Sequence, residues 1–139
     1  MRKALCMVVL LAAVTLAGCD AQGEVEIVQG PLAGSPKIQA SFTWDGTGTG
    51  TIAAVLPNGE VCRGRYFTNM RWPTEMLFTL DWYARYFGSN FDPWGMQYGQ
   101  AILTGDYGRV INLEYFTDLS NHGYGLGLDN EGNVYKLAF

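Results

Sequence analysis

Short segments in which apolar and polar residues alternate recur along this chain, and tight-turn sequences separate them. Every second residue of Lys37–Trp44 is apolar, the pattern of a β-strand with one buried face. Thr49–Leu56 is rich in β-branched residues and also predicts a strand. Between this strand and a third at Glu60–Phe67 stands Pro57-Asn58-Gly59-Glu60. Asn-Gly readily takes the positive φ of a hairpin turn, so these two strands are predicted to be antiparallel neighbours.

The second half of the chain repeats this pattern. Four further strands are predicted at Gln100–Thr104, Arg109–Phe116, Gly123–Leu128 and Val134–Phe139, with Gly- and Asp-containing turns between them. The total is about seven short strands. The sequence therefore predicts a mostly all-β fold, an antiparallel meander that forms a small barrel or a sandwich.

The segment between the third and fourth predicted strands has a different pattern. Pro73–Phe87 carries apolar residues at helical spacing, with Pro73 suited to a first helical turn and Gly88 to a stop. Gly88–Gly99 is rich in glycine and aromatic residues, which suggests a loop. We therefore expect residues 37–139 to form a single β-rich domain, with one helix or aromatic loop inserted at residues 72–99.

The amino terminus has the composition of a secretory signal. Arg2 and Lys3 precede an apolar stretch that is too short to span a hydrocarbon core comfortably. Leu16-Ala17-Gly18-Cys19 then matches the bacterial lipobox. The match implies cleavage between Gly18 and Cys19 and attachment of palmitate-type acyl chains to Cys19, so that residues 1–18 are a lipoprotein signal peptide. An ordinary secretory signal, or an uncleaved anchor with Cys19 incidental, is the alternative interpretation.

Lipidation would place the protein in the cell envelope, held on a membrane and facing the periplasm. Two or more acyl chains give firm anchoring, whereas one chain alone is marginal. Asp20 resembles the residue that retains enterobacterial lipoproteins on the inner membrane, although the outer membrane stays open. Glycine and proline between residues 20 and 36 indicate that residues 19–36 are the lipidated Cys followed by a flexible tether, with a short strand over Val25–Val28 as the alternative.

Charge and cysteine content exclude several classes of function. Removal of residues 1–18 takes Arg2 and Lys3 from the nine basic residues and leaves seven against thirteen acidic ones, a formal charge of −6. Such a balance argues against a nucleic-acid partner. Cys62 is then the one cysteine left beside Cys19, so no internal disulfide is possible, and in an oxidising compartment we expect this thiol to be buried. No motif indicates a metal site or a cofactor.

The turn and hairpin motifs over residues 46–139 resemble a family of small, uncharacterised proteobacterial lipoproteins with a glycine- and aromatic-rich β-domain. The resemblance specifies a fold and implies no activity. Related proteins often carry a cysteine pair in the last two hairpins, and Leu113 and Leu128 stand near those places here. The matching motifs are Gly50-Thr51, Pro57–Glu60, Gly64-Arg65-Tyr66, Leu103–Gly108 and Gly125–Tyr135, together with the aromatic insert.

Aromatic residues of the insert are the main candidates for binding a small apolar ligand or an envelope protein. The alternative is that they cover the hydrophobic core. Arg63 and Arg65 share one strand face and suggest either an anion site or salt bridges, of which we favour the salt bridges. The aromatic candidates are Trp82, Tyr83, Tyr86, Phe87, Phe91, Trp94 and Tyr98.

Catalytic motifs are weak. His122 lies in a turn near Asp118, where local hydrogen bonding is the ordinary role of the aspartate. The glycines of residues 46–50 lack the lysine of a phosphate-binding loop. Asp81, Asp92, Asp106 and Glu114 would have to pair in a cleft to act in a hydrolase, and solvent exposure is their expected state. We therefore expect a non-enzymatic, membrane-anchored binding or interaction module; a carboxylate-dependent envelope hydrolase and a purely structural lipoprotein are the alternatives.

Overall fold

The chain forms a closed barrel of eight antiparallel strands in simple sequential order, with the last strand paired to the first. This computed structural model describes residues 20–45, 48–69, 71–118, 120 and 122–139. The signal peptide, Gly18 and Cys19 lie outside the described residues, as do Gly46 and Thr47 of the first glycine-rich turn. The strands are β1 Asp20–Gln29, β2 Ile38–Trp44, β3 Thr49–Val55, β4 Val61–Asn69, β5 Gln97–Gly105, β6 Val110–Thr117, β7 Gly123–Asp129 and β8 Val134–Ala138.

The all-β prediction is confirmed, and of its two architectures the barrel is the one that forms. Over residues 20–29 the prediction of a flexible tether was wrong, because Asp20–Gln29 is a full strand that pairs with both β2 and β8. The alternative of a strand over Val25–Val28 is the one that forms, and the strand is longer than expected. Val25 and Ile27 alternate with polar residues and bury their side chains inside the barrel. Without β1 the sheet would have two open edges, so this strand is what closes the barrel.

Side chains alternate between the barrel interior and its outer wall, as strand geometry requires. The interior core is mainly aliphatic and aromatic and includes the buried Cys62. Burial of this thiol raises its pKa to about 11. The expectation that this thiol is buried is confirmed. A second apolar cluster lies outside the barrel, where the segment between β4 and β5 packs against the outer wall of β5–β8. We call this segment, described over residues 71–96, the insert.

The helix of the insert is shorter than the sequence predicted. Helix α1 spans Leu80–Phe87, whereas Pro73–Phe87 was predicted. Before α1 the backbone N–H groups of Leu77 and Phe78 donate to the carboxyl oxygens of Glu114, both at 2.8 Å. An acceptor outside the segment thus replaces the helical carbonyls, and the first turns of the predicted helix do not form. The insert is also shorter than the predicted 72–99, because β5 already begins at Gln97.

The two ends of the barrel differ. Turns β1–β2, β3–β4, β5–β6 and β7–β8 lie at one end, which we call the far end. The other end, which we call the mouth, carries the β2–β3 and β6–β7 turns, both ends of the insert and the start of β1. The predicted hairpin turn at Asn58-Gly59 is confirmed at the far end, where Gly59 has φ of 84°.

Candidate functional site

Near the mouth, glycines and aromatic residues face one another across neighbouring strands inside the barrel. Gly50 pairs with Tyr66, and Gly99 pairs with Tyr115. A Cβ atom added at Gly99 would lie 2.1 Å from Cζ of Tyr115. The phenol therefore occupies the space that a side chain on the opposite strand would need. Odd-numbered strands supply the glycines and even-numbered strands supply the rings.

The last ring of this set belongs to Phe139. Gly123 and Phe139 exchange two backbone hydrogen bonds, of 2.8 and 3.1 Å. A Cβ atom at Gly123 would lie 1.9 Å from Cζ of Phe139. The inward positions of β7 are glycine at 123, 125 and 127, so this strand leaves room for rings from both of its neighbours.

Four rings close into a cycle across the barrel. Phe42 lies 5.9 Å from Tyr66, Tyr66 lies 6.5 Å from Tyr115, Tyr115 lies 6.0 Å from Phe139, and Phe139 lies 5.2 Å from Phe42, measured between ring centroids. Three of the four contacts are edge-to-face, an arrangement that the charge distribution of aromatic rings favours. We call these residues the aromatic quartet.

Hydrogen bonds hold the two phenols of the quartet in place. The Tyr66 hydroxyl donates to the carbonyl oxygen of Thr43 at 2.8 Å, and the Tyr115 hydroxyl shares a 2.8 Å hydrogen bond with Thr68. Burial raises the pKa of Tyr66, and it raises the pKa of Tyr115 to about 12. Both phenols are therefore neutral at physiological pH, and the quartet is a fixed, uncharged surface.

A cavity of about 170 Å³ opens between the quartet and the mouth. Its rim consists mainly of small or uncharged residues. Those on the strands occupy the next inward-facing position beyond the quartet layer, two residues closer to the mouth, and the half-exposed indole of Trp44 lies among them. An apolar cavity of about 150 Å³ is large enough for a benzene-sized group. The cavity can thus hold one small apolar group against the quartet. The rim residues are Ala21, Trp44, Gly48, Thr68, Gln97 and Thr117.

Below the quartet the barrel is filled. The remaining void there is about 30 Å³ and is lined by apolar side chains and Tyr135. Eight strands enclose an interior only wide enough to be packed with side chains or to admit one small ligand. In this chain packing fills the middle of the barrel, so within the barrel interior the described residues leave space for a ligand at the mouth.

A buried ionic network fills the far end. Arg109, only 4% exposed, donates from Nε to Glu60 at 2.9 Å and from Nη1 to Asp129 at 2.6 Å. Glu60 is 1% exposed and occupies space that Gly105 leaves open, since a Cβ atom there would lie 2.1 Å from the Glu60 carboxyl. Asp129 also accepts hydrogen bonds from the Asn133 side chain and from the Tyr135 hydroxyl. The buried charges are thus paired and hydrogen-bonded, as their desolvation requires.

The ionisation of this network is set by its hydrogen bonds. Burial alone would raise the pKa of Glu60 and of Asp129. Donors from Arg109 and the Tyr107 backbone outweigh burial at Glu60, and donors from Tyr135 and Asn133 outweigh it at Asp129, so both pKa values are lowered. Burial would lower the pKa of Arg109, but its hydrogen bonds to the two carboxylates raise it. All three groups are therefore charged at neutral pH.

Aromatic residues of the insert lie on the outer wall of the barrel and are not at its cavity. Tyr83 is fully buried and packs edge-to-face on Phe116 of β6 at 5.1 Å and parallel to Phe91 at 5.3 Å. Tyr86 accepts a 2.7 Å hydrogen bond from Gln29 of β1, and Trp82 stacks near it. The packing of these rings agrees with the alternative interpretation, in which they cover apolar surface. Trp94 differs, because it is 81% exposed and stacks on Trp72 at 5.4 Å.

Glu114 joins the insert to the barrel wall. Its side chain points outward from β6 yet is completely buried under the insert. Besides the two backbone N–H groups of residues 77 and 78, the Tyr98 hydroxyl donates to it at 2.7 Å. Tyr98 itself belongs to β5 and so is not part of the insert. The expectation of a solvent-exposed carboxylate at position 114 was wrong, because strand alternation does not reveal that a distant segment covers the outer wall.

Most of the other candidate residues occupy separate, exposed places. Arg63 and Arg65 share the outer face of β4, and Arg65 forms a 3.0 Å salt bridge with Asp45, which confirms a salt bridge at that residue. Asp118 accepts hydrogen bonds from the backbone N–H groups of Ser120 and His122, the local turn role predicted for it.

The carboxylates of the hydrolase hypothesis are spread over different elements. Asp81 is on α1, Asp92 accepts from the Trp94 backbone, Asp106 is in the β5–β6 turn and Glu114 is buried. In the part of the chain that the structure describes, no group of three or more His, Cys, Asp or Glu side chains is arranged as a metal site. None of the helical structure over the described ranges is long and apolar enough to cross a bilayer.

Comparison of the chain with models of known protein families, with curated proteins and with solved structures gave no match. A function is therefore inferred from the geometry of the mouth.

The quartet and its cavity were not predicted from the sequence, although the sequence carries a signal for them. Glycines at 50, 99 and 123 fall on the same strand face as buried residues, where an apolar side chain would be expected. A glycine at such a position indicates close approach of another group. The identity of that group depends on pairing between strands distant in sequence.

Proposed function

We propose that this chain is a lipid-anchored protein of the bacterial envelope whose barrel mouth binds a small, largely apolar ligand. The observation that supports binding is the 170 Å³ cavity bounded by the aromatic quartet. Its apolar surface would contribute binding free energy, and the uncharged polar groups of Thr68, Gln97 and Thr117 at its rim would orient the ligand. The lipid anchor is supported by the lipobox Leu16-Ala17-Gly18-Cys19 behind an apolar signal.

We propose that the ligand binds at the mouth of the barrel and not on the aromatic residues of the insert. Trp82, Tyr83, Tyr86 and Phe91 pack against the barrel or against one another, so the ring of Tyr83 is buried and the other three are partly buried. The cavity residues instead face an open mouth. A binding role for the insert would have to use the exposed Trp94.

Titration with the neutral fluorophore N-phenyl-1-naphthylamine tests ligand binding, because its phenyl ring can enter the cavity while its larger naphthyl group stays in the open mouth. Thr117→Phe places a ring in the cavity, whereas Thr104→Phe makes the same substitution on the exposed outer face of β5. We expect the wild-type protein and Thr104→Phe to bind the dye and Thr117→Phe to lose at least about tenfold in affinity, or about 1.4 kcal/mol. Equal binding by the two variants would contradict a site at the mouth.

Labelling of cells with an alkyne fatty acid tests the anchor separately. We expect the label on Cys19 in the wild-type protein and its loss in Cys19→Ala. An unlabelled wild-type protein, secreted and processed, would refute lipidation while leaving the result of the dye titration intact.

The carboxylate-dependent hydrolase receives less support. The Glu114 carboxyl is covered by the insert and already accepts three hydrogen bonds. Asp106 lies at the far end of the barrel, away from the cavity. A reaction that needs two carboxyl groups on either side of one bond finds no such pair among the described residues that line the cavity.

A further inference from the structure

The start of β1 lies at the mouth cavity. β1 begins at Asp20, which pairs with Thr43, and Ala21 lines the cavity itself. In the sequence Cys19 directly precedes Asp20, two positions before Ala21. If Cys19 carries the lipid, as proposed above, no spacer separates the anchor from the cavity.

An anchor at this place holds the mouth toward the membrane. Trp44 on the rim is 55% exposed. Trp72 packs 5.2 Å from Phe116, which is next in sequence to the rim residue Thr117, so Trp72 lies at the mouth end. The exposed Trp94 stacks on Trp72 and therefore lies at the mouth end as well. Indole rings favour the boundary between headgroups and acyl chains. The anchor and the exposed indoles thus lie at the same end of the barrel.

The cavity accepts an uncharged, apolar group. Of the ten described residues that line it, none has an acidic or basic side chain, and four are the quartet residues. Transfer of a charged headgroup into such surroundings without a partner would cost several kcal/mol. A volume near that of a benzene site holds about six carbon atoms, which corresponds to the end of an acyl chain and not to a whole lipid.

We propose that the mouth cavity takes the terminal carbons of an acyl chain supplied at the membrane surface on which Cys19 holds the barrel. The inference rests on the proposed function and adds to it the class of ligand and the direction from which it arrives. The same chemistry has two sources, a phospholipid of the bilayer and the protein's own Cys19-linked chains.

Photocrosslinking of the full lipidated protein tests this proposal. In the first arm, the protein is reconstituted into vesicles of phosphatidylethanolamine and phosphatidylglycerol that contain a phospholipid with a diazirine near the acyl terminus. In the second arm, cells are fed the diazirine fatty acid, so that it is built into the chains on Cys19. After irradiation, adducts are mapped by mass spectrometry. We expect them at the rim positions of β1, β4 and β6, Ala21, Thr68 and Thr117.

Adducts at these positions in the first arm identify a bilayer lipid, and adducts in the second arm alone identify the protein's own chain; either result supports the proposal. Yields in Thr117→Phe should fall about tenfold, the change that a loss of about 1.4 kcal/mol would produce, and should not fall in Thr104→Phe. Ala21→Leu fills the same cavity with a smaller change and replaces Thr117→Phe if that variant does not fold. Absence of cavity adducts in both arms, or yields insensitive to both filling variants, would overturn the proposal.

Failure of the anchor is detected independently. The intact mass of the purified protein reports whether Cys19 carries lipid. A lipidated protein that binds the neutral dye at its mouth but gives no acyl adducts there would retain the proposed function and lose this inference. A protein without lipid on Cys19 would instead contradict the anchoring on which the inference depends.

Discussion

Removal of Arg109 from the far end of the barrel should strongly destabilise the protein. Arg109→Met keeps most of the apolar volume but leaves Glu60 and Asp129 buried without their cation. Breaking a buried pair in this way costs about 3–5 kcal/mol. Since domains of this size have a total stability of about 5–15 kcal/mol, this loss is a large part of the total.

The exposed salt bridge of Arg65 with Asp45 provides a matched control. The side chains of this pair are 55% and 42% exposed, so Arg65→Met should cost at most about 1 kcal/mol. Urea unfolding at pH 7, followed by intrinsic fluorescence, measures both variants. With a slope of about 2 kcal/mol per molar urea, the midpoint of Arg109→Met should fall by about 2 M and that of Arg65→Met by about 0.5 M or less.

Non-additivity identifies the cause of the loss. Adding Glu60→Gln to Arg109→Met removes one of the two uncompensated charges, so the double variant should be more stable than the sum of the single costs predicts. Equal midpoints for Arg109→Met and Arg65→Met would refute the assignment of a stabilising role to the buried network. Strict additivity would show that the loss comes from packing instead of charge.

Three further outcomes follow from the structure. Gly99→Ala should cost about 1–3 kcal/mol in urea unfolding and abolish dye binding, because its methyl group would displace the hydrogen-bonded ring of Tyr115; retention of both would contradict the glycine–aromatic arrangement. Glu114→Gln should cost about 2–3 kcal/mol and increase hydrogen exchange in the insert more than in the strands, since buried N–H donors lose an acceptor; uniform exchange would argue against local anchoring. Acid should destabilise the fold, because in the folded state Glu60 and Asp129 have pKa values below their ordinary 4.5 and 3.8. The stability that these two carboxylates contribute is complete above about pH 5 and is lost as the pH falls through the folded pKa values. A urea midpoint that stays constant from pH 7 to pH 2 would contradict this prediction.

Local patterns predicted the strands well because each hairpin is specified by a few neighbouring residues. Asn58-Gly59 combines with flanking alternation to fix both strands and turn, and the observed β3 and β4 match the prediction within two residues at each end. Strand β1, which the sequence suggested only as a short alternative at Val25–Val28, also alternates, with Val25 and Ile27 inward. The glycines and prolines that follow it suggested a tether, and only its pairing with β8, more than a hundred residues away, shows that it belongs to the barrel.

Site residues were harder to predict because their environments are created by contacts distant in sequence. Glu114 occupies an outward strand position, where solvent is the usual neighbour, and becomes buried only through the insert. Arg109 is one basic residue beside a turn, and nothing local indicates that it points inward to Glu60, 49 positions earlier. The aromatic residues of the insert were prominent in the sequence, yet the rings that form the cavity come from β2, β4, β6 and the residue that follows β8.

The mouth cavity is the place where this barrel departs from the packing that would maximise stability. The quartet fills one layer, and Ala21, Thr68 and Thr117 in the next layer are too small to fill theirs. A phenylalanine at 117 would bury apolar surface against the quartet, and full burial of such a side chain is worth about 1.5–3 kcal/mol. We therefore expect Thr117→Phe to unfold at a higher urea concentration than the wild-type protein while it loses the dye. Urea unfolding and dye binding are measured on the same preparation of each protein. A site kept open for a ligand should gain stability when a side chain fills it. A variant that loses stability and binding together would show that the rim is small because the backbone admits nothing larger, and the cavity would then need no ligand to explain it.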